Sequence, residues 1–161
     1  MKSAPGSRRF SGGFTLIELL IVVVLVAVLA AIALPSFLDQ IRKSRRADAI
    51  NVMAQVAQAQ ERWRANNSAY IADFGTAGLN VGATAASGVT SLTQTYYTIS
   101  VNAAASAAYR VRAVATGSQA SDTKCAEMEM RMAGGNLAYV SVPQGGNIST
   151  ATTDANRCWN R

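Results

Sequence analysis

The feature that most constrains this chain is the run over residues 14–34, 21 positions of which only Thr15 and Glu18 are polar. As a helix rising ~1.5 Å per residue it covers roughly 30 Å, the thickness of a bilayer's hydrocarbon core. A chain of 161 residues that places so much hydrocarbon in one stretch has to bury it in lipid or against other chains. What remains, from about residue 36 onward, is enough for one modest core. Lys2, Arg8 and Arg9 precede the run, and Arg42, Lys43, Arg45 and Arg46 follow it. The net charge of +6 therefore sits mainly at the flanks of the span and does not point to a nucleic-acid fold. Basic residues on both flanks also leave the membrane orientation open on a positive-inside count.

A secretory signal is one reading of the start. Residues 1–13 form a basic leader, residues 19–30 an apolar stretch, and Ala31-Ile32-Ala33 a small-x-small cleavage site. On that reading the product is soluble and begins at Leu34. Two features oppose it. Glu18 is an acid inside the hydrocarbon, which costs ~2.5–3.5 kcal/mol near a helix centre and less toward an end, and such groups are functional candidates by default. The helical pattern also continues past Pro35 instead of giving way to an unrelated start.

Leu38, Ile41, Arg45, Ala49, Val52, Val56, Ala59 and Trp63 recur at three- and four-residue steps, with Arg45 the one break. Lys43, Asn51, Gln55, Gln58 and Arg62 take the opposite side. This is an amphipathic helix with one face for a core, ended by Asn66-Asn67-Ser68. Residues 14–66 together predict one helix of ~80 Å, too long for a small domain, so its apolar half is expected to protrude. Pro35 lacks an N–H and crowds the preceding turn, which predicts a kink or local melting at residues 31–35.

Residues 67–95 turn to Gly, Ala, Ser and Thr and predict a loop, with a short helical turn near 71–74. Strand signals follow at 96–101, 109–114 and 125–132, with a further candidate at 137–142 stopped by Pro143. The expected fold class is α+β: a long N-terminal helix packed against a three- to four-stranded antiparallel sheet. Arg110 and Arg112 are expected to pair across strands with Glu127 and Glu129, and the methionines of 125–132 to fill the core. Cys125 and Cys158 are the two cysteines. Behind an export-like leader they predict one disulfide, the alternative being two free buried thiols. A bridge closing that loop would stabilise the tail by ~3.8 kcal/mol on loop-closure entropy.

Histidine is absent, which removes His-based triads and His ligand sets. No GxxxxGK[ST] phosphate loop occurs. Asp122, Glu127, Glu129 and Asp154 match no calcium-loop spacing. No catalytic residue, metal or cofactor is assigned. The basic group Arg42, Arg45 and Arg46 predicts a solvated or headgroup-contacting belt, with subunit pairing as the sharper reading. DNA binding ranks last, because no aromatic residue interleaves with these cations.

The stretch Gly13-Phe14-Thr15-Leu16-Ile17-Glu18-Leu19-Leu20-Ile21-Val22-Val23, with Leu29-Ala30-Ala31-Ile32-Ala33-Leu34-Pro35-Ser36-Phe37, closely resembles the start of type IV pilins. The resemblance implies a leader, residues 1–13, removed by a prepilin peptidase after Gly13, followed by methylation of the new Phe14 amine. It implies that residues 14–35, with Thr15, Glu18 and Pro35, serve in the membrane and in assembly. The pilin domain would then comprise a helix over 36–66, a loop over 67–95, and a sheet with a disulfide-bounded tail over 96–161. In this family Glu18 would meet the Phe14 amine of a neighbouring subunit, each ion supplying the other's partner at membrane depth. Asn156-Arg157-Cys158-Trp159, Pro35-Ser36-Phe37, Arg45-Arg46-Ala47-Asp48-Ala49 and Gln60-Glu61-Arg62 are similar, more loosely, to the minor-pilin branch typified by PilE. The implied partners are other pilin subunits, the peptidase, an inner-membrane assembly platform and inner-membrane lipid, with DNA or surfaces as further candidates. The implied location is the inner membrane, N-terminus cytoplasmic, and then an extracellular pilus. A type II secretion pseudopilin shares the N-terminal logic and stands as the alternative.

Overall fold

The computed structural model describes residues 13–82, 88–102, 105–148 and 158–159. The chain comprises two compact units, Met1–Asp39 and Gln40–Arg161. One helix, α1 (Leu16–Arg64, 49 residues), supplies the described helical residues of the first unit and the first element of the second. Five strands follow: β1 (Ser91–Thr93), β2 (Tyr97–Asn102), β3 (Ala108–Ala115), β4 (Glu127–Ala133) and β5 (Asn136–Val142). They pair in sequence order, each antiparallel to the next, as a meander. The fold class is α+β.

The expected melting at residues 31–35 does not occur: α1 runs unbroken through Pro35. Proline removes one donor from the ladder. The surrounding Leu and Ala residues favour helix, and Ser36 Oγ donates to the Ala33 carbonyl at 2.9 Å within the affected turn.

In the second unit α1 buries Ala49, Met53, Val56, Ala59 and Gln60. These join Tyr97, Ile99, Val101, Tyr109, Val111, Ala113, Met128 and Met130 of the sheet in one core. The strands alternate because successive side chains point to opposite faces, so β2 buries Tyr97, Ile99 and Val101 and turns Thr98, Ser100 and Asn102 outward. Each large apolar side chain fully buried this way contributes about 1.5–3 kcal/mol. The methionines of β4 sit in that core, as expected.

The sheet has one strand more than the upper expectation. β1 lies inside the predicted loop, and its three residues bury only Leu92, too short and polar a run to announce itself. The expected helical turn at 71–74 is also absent. There the backbone bonds across the structure: Tyr70 N–H to the Ala105 carbonyl at 3.1 Å and Phe74 N–H to the Val89 carbonyl at 2.7 Å. β4 and β5 join through Gly134 and Gly135, both at positive φ (55° and 82°), the primed-turn geometry that suits the twist of a two-residue hairpin.

The described tail lies on both sides of β5, the last strand of the sheet. Ile148 packs with Val140 and Val142. Trp159 meets Tyr139, whose side chain has the opposite parity on β5, edge-to-face at 4.9 Å. Trp159 Nε1 also donates to the Val140 carbonyl at 3.2 Å. Contacts of this kind cover an edge that would otherwise invite pairing with another chain.

Candidate functional site

Three places carry the chemistry singled out in the sequence. The first is the start of α1. Gly13 and Phe14 precede the helix, and Phe14 is 86% exposed. The Glu18 N–H donates to Thr15 Oγ1 at 3.2 Å, and the Leu19 N–H to the Thr15 carbonyl at 3.2 Å. Thr15 is therefore the N-cap, and Glu18 is the acid of the first turn, where the helix dipole favours negative charge. This local role was missed in the sequence, although Thr15-Leu16-Ile17-Glu18 has the spacing of a capping box. Phe14, Glu18, Leu19, Val22 and Val23 line a shallow, largely apolar concavity of about 290 Å³. Every large apolar side chain of α1 up to Leu38 is exposed.

The second place is the basic group on α1, which is more than a solvated belt. Arg46 Nε lies 2.9 Å from Asp122 Oδ2, with both side chains nearly buried. Its Nη1 donates to Cys125 Sγ at 3.2 Å. The Nε contact is an ion pair without an aligned hydrogen bond. Buried Gln119 ties the cluster together, its Nε2 donating to Asp122 Oδ2 at 3.0 Å, Tyr97 Oη at 3.1 Å and the Arg42 carbonyl at 3.3 Å. Burial, more than any neighbour, pushes the Tyr97 phenol up to about 12. Arg45 donates to Ser118 Oγ at 3.1 Å and stacks on the Tyr96 ring, 4.1 Å from its centroid. Arg45, Asp48, Gln94 and Tyr96 border a cleft of about 160 Å³. The fold thus supplies from the β1–β2 turn the aromatic partner that the sequence around Arg45 lacks.

The third place is the bridge. Cys125 and Cys158 form a disulfide, with Cα atoms 5.9 Å apart. Three of the four acids considered for a calcium loop answer an arginine instead. Asp122 pairs with Arg46, Glu129 with Arg131, and Glu127 with Arg112 at 2.5 Å. Asp154 lies outside the described residues. The expected cross-strand pairing is thus right for Arg112 with Glu127. It is corrected for Glu129, which takes Arg131 on its own strand. Arg110 stands opposite Arg131 in the β3–β4 register, so Glu129 is not its direct neighbour. Arg131 also donates to the Ile148 carbonyl, fixing the tail over Glu129.

A capped apolar helix with one acid in its first turn, a sheet-backed second half and a disulfide-clamped tail together define a pilin-like subunit. Residues 8–34 match the prokaryotic N-terminal methylation motif. The chain belongs to the family described as type IV minor pilin ComP, DNA uptake sequence receptor, which matches residues 35–129. Among curated relatives it is similar to fimbrial protein EcpC of Eikenella corrodens, 35% identical over 72 residues, 45% of this chain and 47% of the relative. It is also similar to fimbrial protein Q of Moraxella bovis, 50% identical over 42 residues, 26% of this chain and 27% of the relative. The chain thus spans about half the length, or less, of the curated relatives it matches.

Proposed function

We propose that this chain is a minor subunit of a type IV pilus. A prepilin peptidase cuts between Gly13 and Phe14, and the new Phe14 amine is methylated. Residues 14–35 hold the protein in the inner membrane, N-terminus cytoplasmic, until an assembly platform packs it into an extracellular fibre. The observation that carries this reading is the exposed apolar surface of α1 with Glu18 as its sole acid before Asp39. Such a surface is stable only in lipid or against like helices. In the packed fibre the Glu18 carboxylate meets the Phe14 amine of a neighbour, and a buried ion stripped of its partner costs about 3–5 kcal/mol. Pro35 is the last residue of that membrane segment. The methylation-motif match supports cleavage at Gly13 over cleavage after Ala33, and the minor-pilin match favours a pilus over a secretion pseudopilus.

The family description adds DNA uptake. Arg45 stacked on Tyr96, with Lys43 exposed on the same helix, is chemistry suited to phosphate contacts. The test of the assembly reading is Glu18→Gln. Expression and cleavage should persist while the amount in sheared fibres falls several-fold, and undiminished incorporation would contradict the reading. For DNA, binding should weaken linearly with log salt, and Lys43→Ala with Arg45→Ala should flatten that slope. A slope unchanged by both substitutions places the contact elsewhere on the molecule.

A further inference from the structure

We infer that the Cys125–Cys158 bridge is chemically one-sided: a thiol–disulfide exchange partner forms its transient covalent bond with Cys158, and Cys125 is the thiolate that leaves or attacks. Both sulfurs are buried, but in different surroundings. Cys125 Sγ lies 3.2 Å from Arg46 Nη1, a guanidinium donor in a nearly buried side chain. Cys158 Sγ lies 3.9 Å from the Lys124 carbonyl oxygen. A guanidinium favours a thiolate, whereas a carbonyl oxygen favours a protonated thiol.

Other charged groups around Cys125 are Asp122 and the adjacent Lys124. Asp122 places Oδ2 2.9 Å from Arg46 Nε and accepts the Cys125 N–H on its backbone carbonyl at 3.2 Å. It offsets part of the arginine's charge. The Nη1 donor nevertheless remains on Cys125, and the described polar neighbour of Cys158 Sγ is the Lys124 carbonyl; Arg157, next to Cys158 in the sequence, lies outside the described residues. Cys125 leads into β4 beside the Arg46 cluster, and Cys158 is followed by Trp159, which packs on Tyr139 and donates to the Val140 carbonyl.

In thiol–disulfide exchange the sulfur that departs more readily is the one that better carries negative charge. During reduction an incoming thiolate attacks Cys158 Sγ. A sulfur–sulfur bond forms there, the bridge breaks, and the electron pair leaves on Cys125 beside Arg46. A second thiolate then attacks the incoming group's sulfur and releases Cys158, which takes up a proton. The bridge gains two electrons, and two external thiols become one disulfide. Oxidation by an external disulfide runs the same steps backward. Cys158 thiolate attacks the external disulfide, and Cys125 thiolate then attacks Cys158 Sγ and expels the second external thiolate.

The probe is reduced glutathione. The native oxidised protein is exposed briefly, quenched in acid and mapped by mass spectrometry. Glutathione should be found on Cys158 in about tenfold or greater excess over Cys125. Equal adducts, or an excess on Cys125, would overturn the inference. Arg46→Gln combined with Asp122→Asn replaces the ion pair by two neutral amides. If its circular dichroism spectrum is native, this variant should lose the preference and be reduced about tenfold more slowly. An unchanged preference and rate would also overturn the inference. Arg46→Lys, which keeps a cation beside Asp122, should retain the preference, so a charge effect can be separated from a general loosening of the tail.

Discussion

Gln60 and Ile71 hold each other through two hydrogen bonds: Gln60 Nε2 donates to the Ile71 carbonyl at 2.6 Å, and the Ile71 N–H donates to Gln60 Oε1 at 3.2 Å. A side-chain amide here does for the backbone what a neighbouring strand would, pinning the loop after α1 to the helix. Gln60 is fully buried and Ile71 half-buried, so losing the amide leaves two loop groups without their partner. At about 1–3 kcal/mol per unsatisfied group, Gln60→Met should lower unfolding free energy by about 2–4 kcal/mol. Urea unfolding measures this, and a change below ~0.5 kcal/mol would show that the loop finds other partners.

Two ion pairs of similar length should differ sharply in worth. Arg46–Asp122 has side-chain exposures of 13% and 3%, against 33% and 21% for Arg112–Glu127. Arg46→Ala leaves a buried carboxylate uncompensated and should cost about 3–5 kcal/mol. Arg112→Ala removes a more hydrated pair and should cost about 1 kcal/mol or less. Parallel denaturation of the two variants checks the ranking, and equal losses would contradict it.

Asp73 organises the segment leading to β1. Its Oδ1 accepts from the Gly75 N–H at 2.8 Å and the Val89 N–H at 3.1 Å, and its Oδ2 accepts from the Gly88 N–H at 2.9 Å. Gly78 lies close beneath it: a Cβ there would stand 2.3 Å from the Asp73 carbonyl oxygen. Asp73→Ala should destabilise by about 2–3 kcal/mol through lost charge-assisted bonds. Gly78→Ala should destabilise as well, through displaced backbone. Thermal melts of the two variants check this, and a wild-type melting temperature for Gly78→Ala would disprove the close approach.

Alkaline unfolding should track the buried tyrosines. Tyr97 is raised from 10.0 to about 12, chiefly by burial, and burial raises Tyr109 as well. A phenol whose folded value is raised keeps its proton while the unfolded chain loses its own. That stability is fully present below pH 10 and is lost as pH rises from 10 through 12. Tyrosinate absorbance followed alongside the melting temperature should show two phenols resisting ionisation until the fold yields. Tyrosine titration complete by pH 11 with the fold intact would contradict the assignment.

The helix was legible because its evidence is repetitive. All five residues assigned to the outer side, Lys43, Asn51, Gln55, Gln58 and Arg62, are exposed. The buried line is offset from the expected one, taking Met53 and Gln60 and leaving Val52 and Trp63 half-buried. Hydrophobicity alone could not place Gln60 inside, because its burial depends on Ile71, eleven residues on. The strand stopped by Pro143 was readable from local chemistry, since proline cannot donate to the ladder. The polar cluster was not, since Arg46, Tyr97, Gln119 and Asp122 meet only after the sheet folds onto the helix. The same holds for Arg45 and Tyr96, whose separation in sequence hid the stack. Glu18 stood out as an acid in hydrocarbon, and that contrast drew the eye away from its capping partner Thr15.

The central claim is that the finished protein keeps the segment beginning at Phe14, with Glu18 near its new end. Intact-mass and N-terminal fragment spectrometry of the exported protein tests this most directly. The account predicts a chain starting at a methylated Phe14 and containing residues 14–34. A chain starting at Leu34 would contradict it, because the apolar run and Glu18 would both be gone.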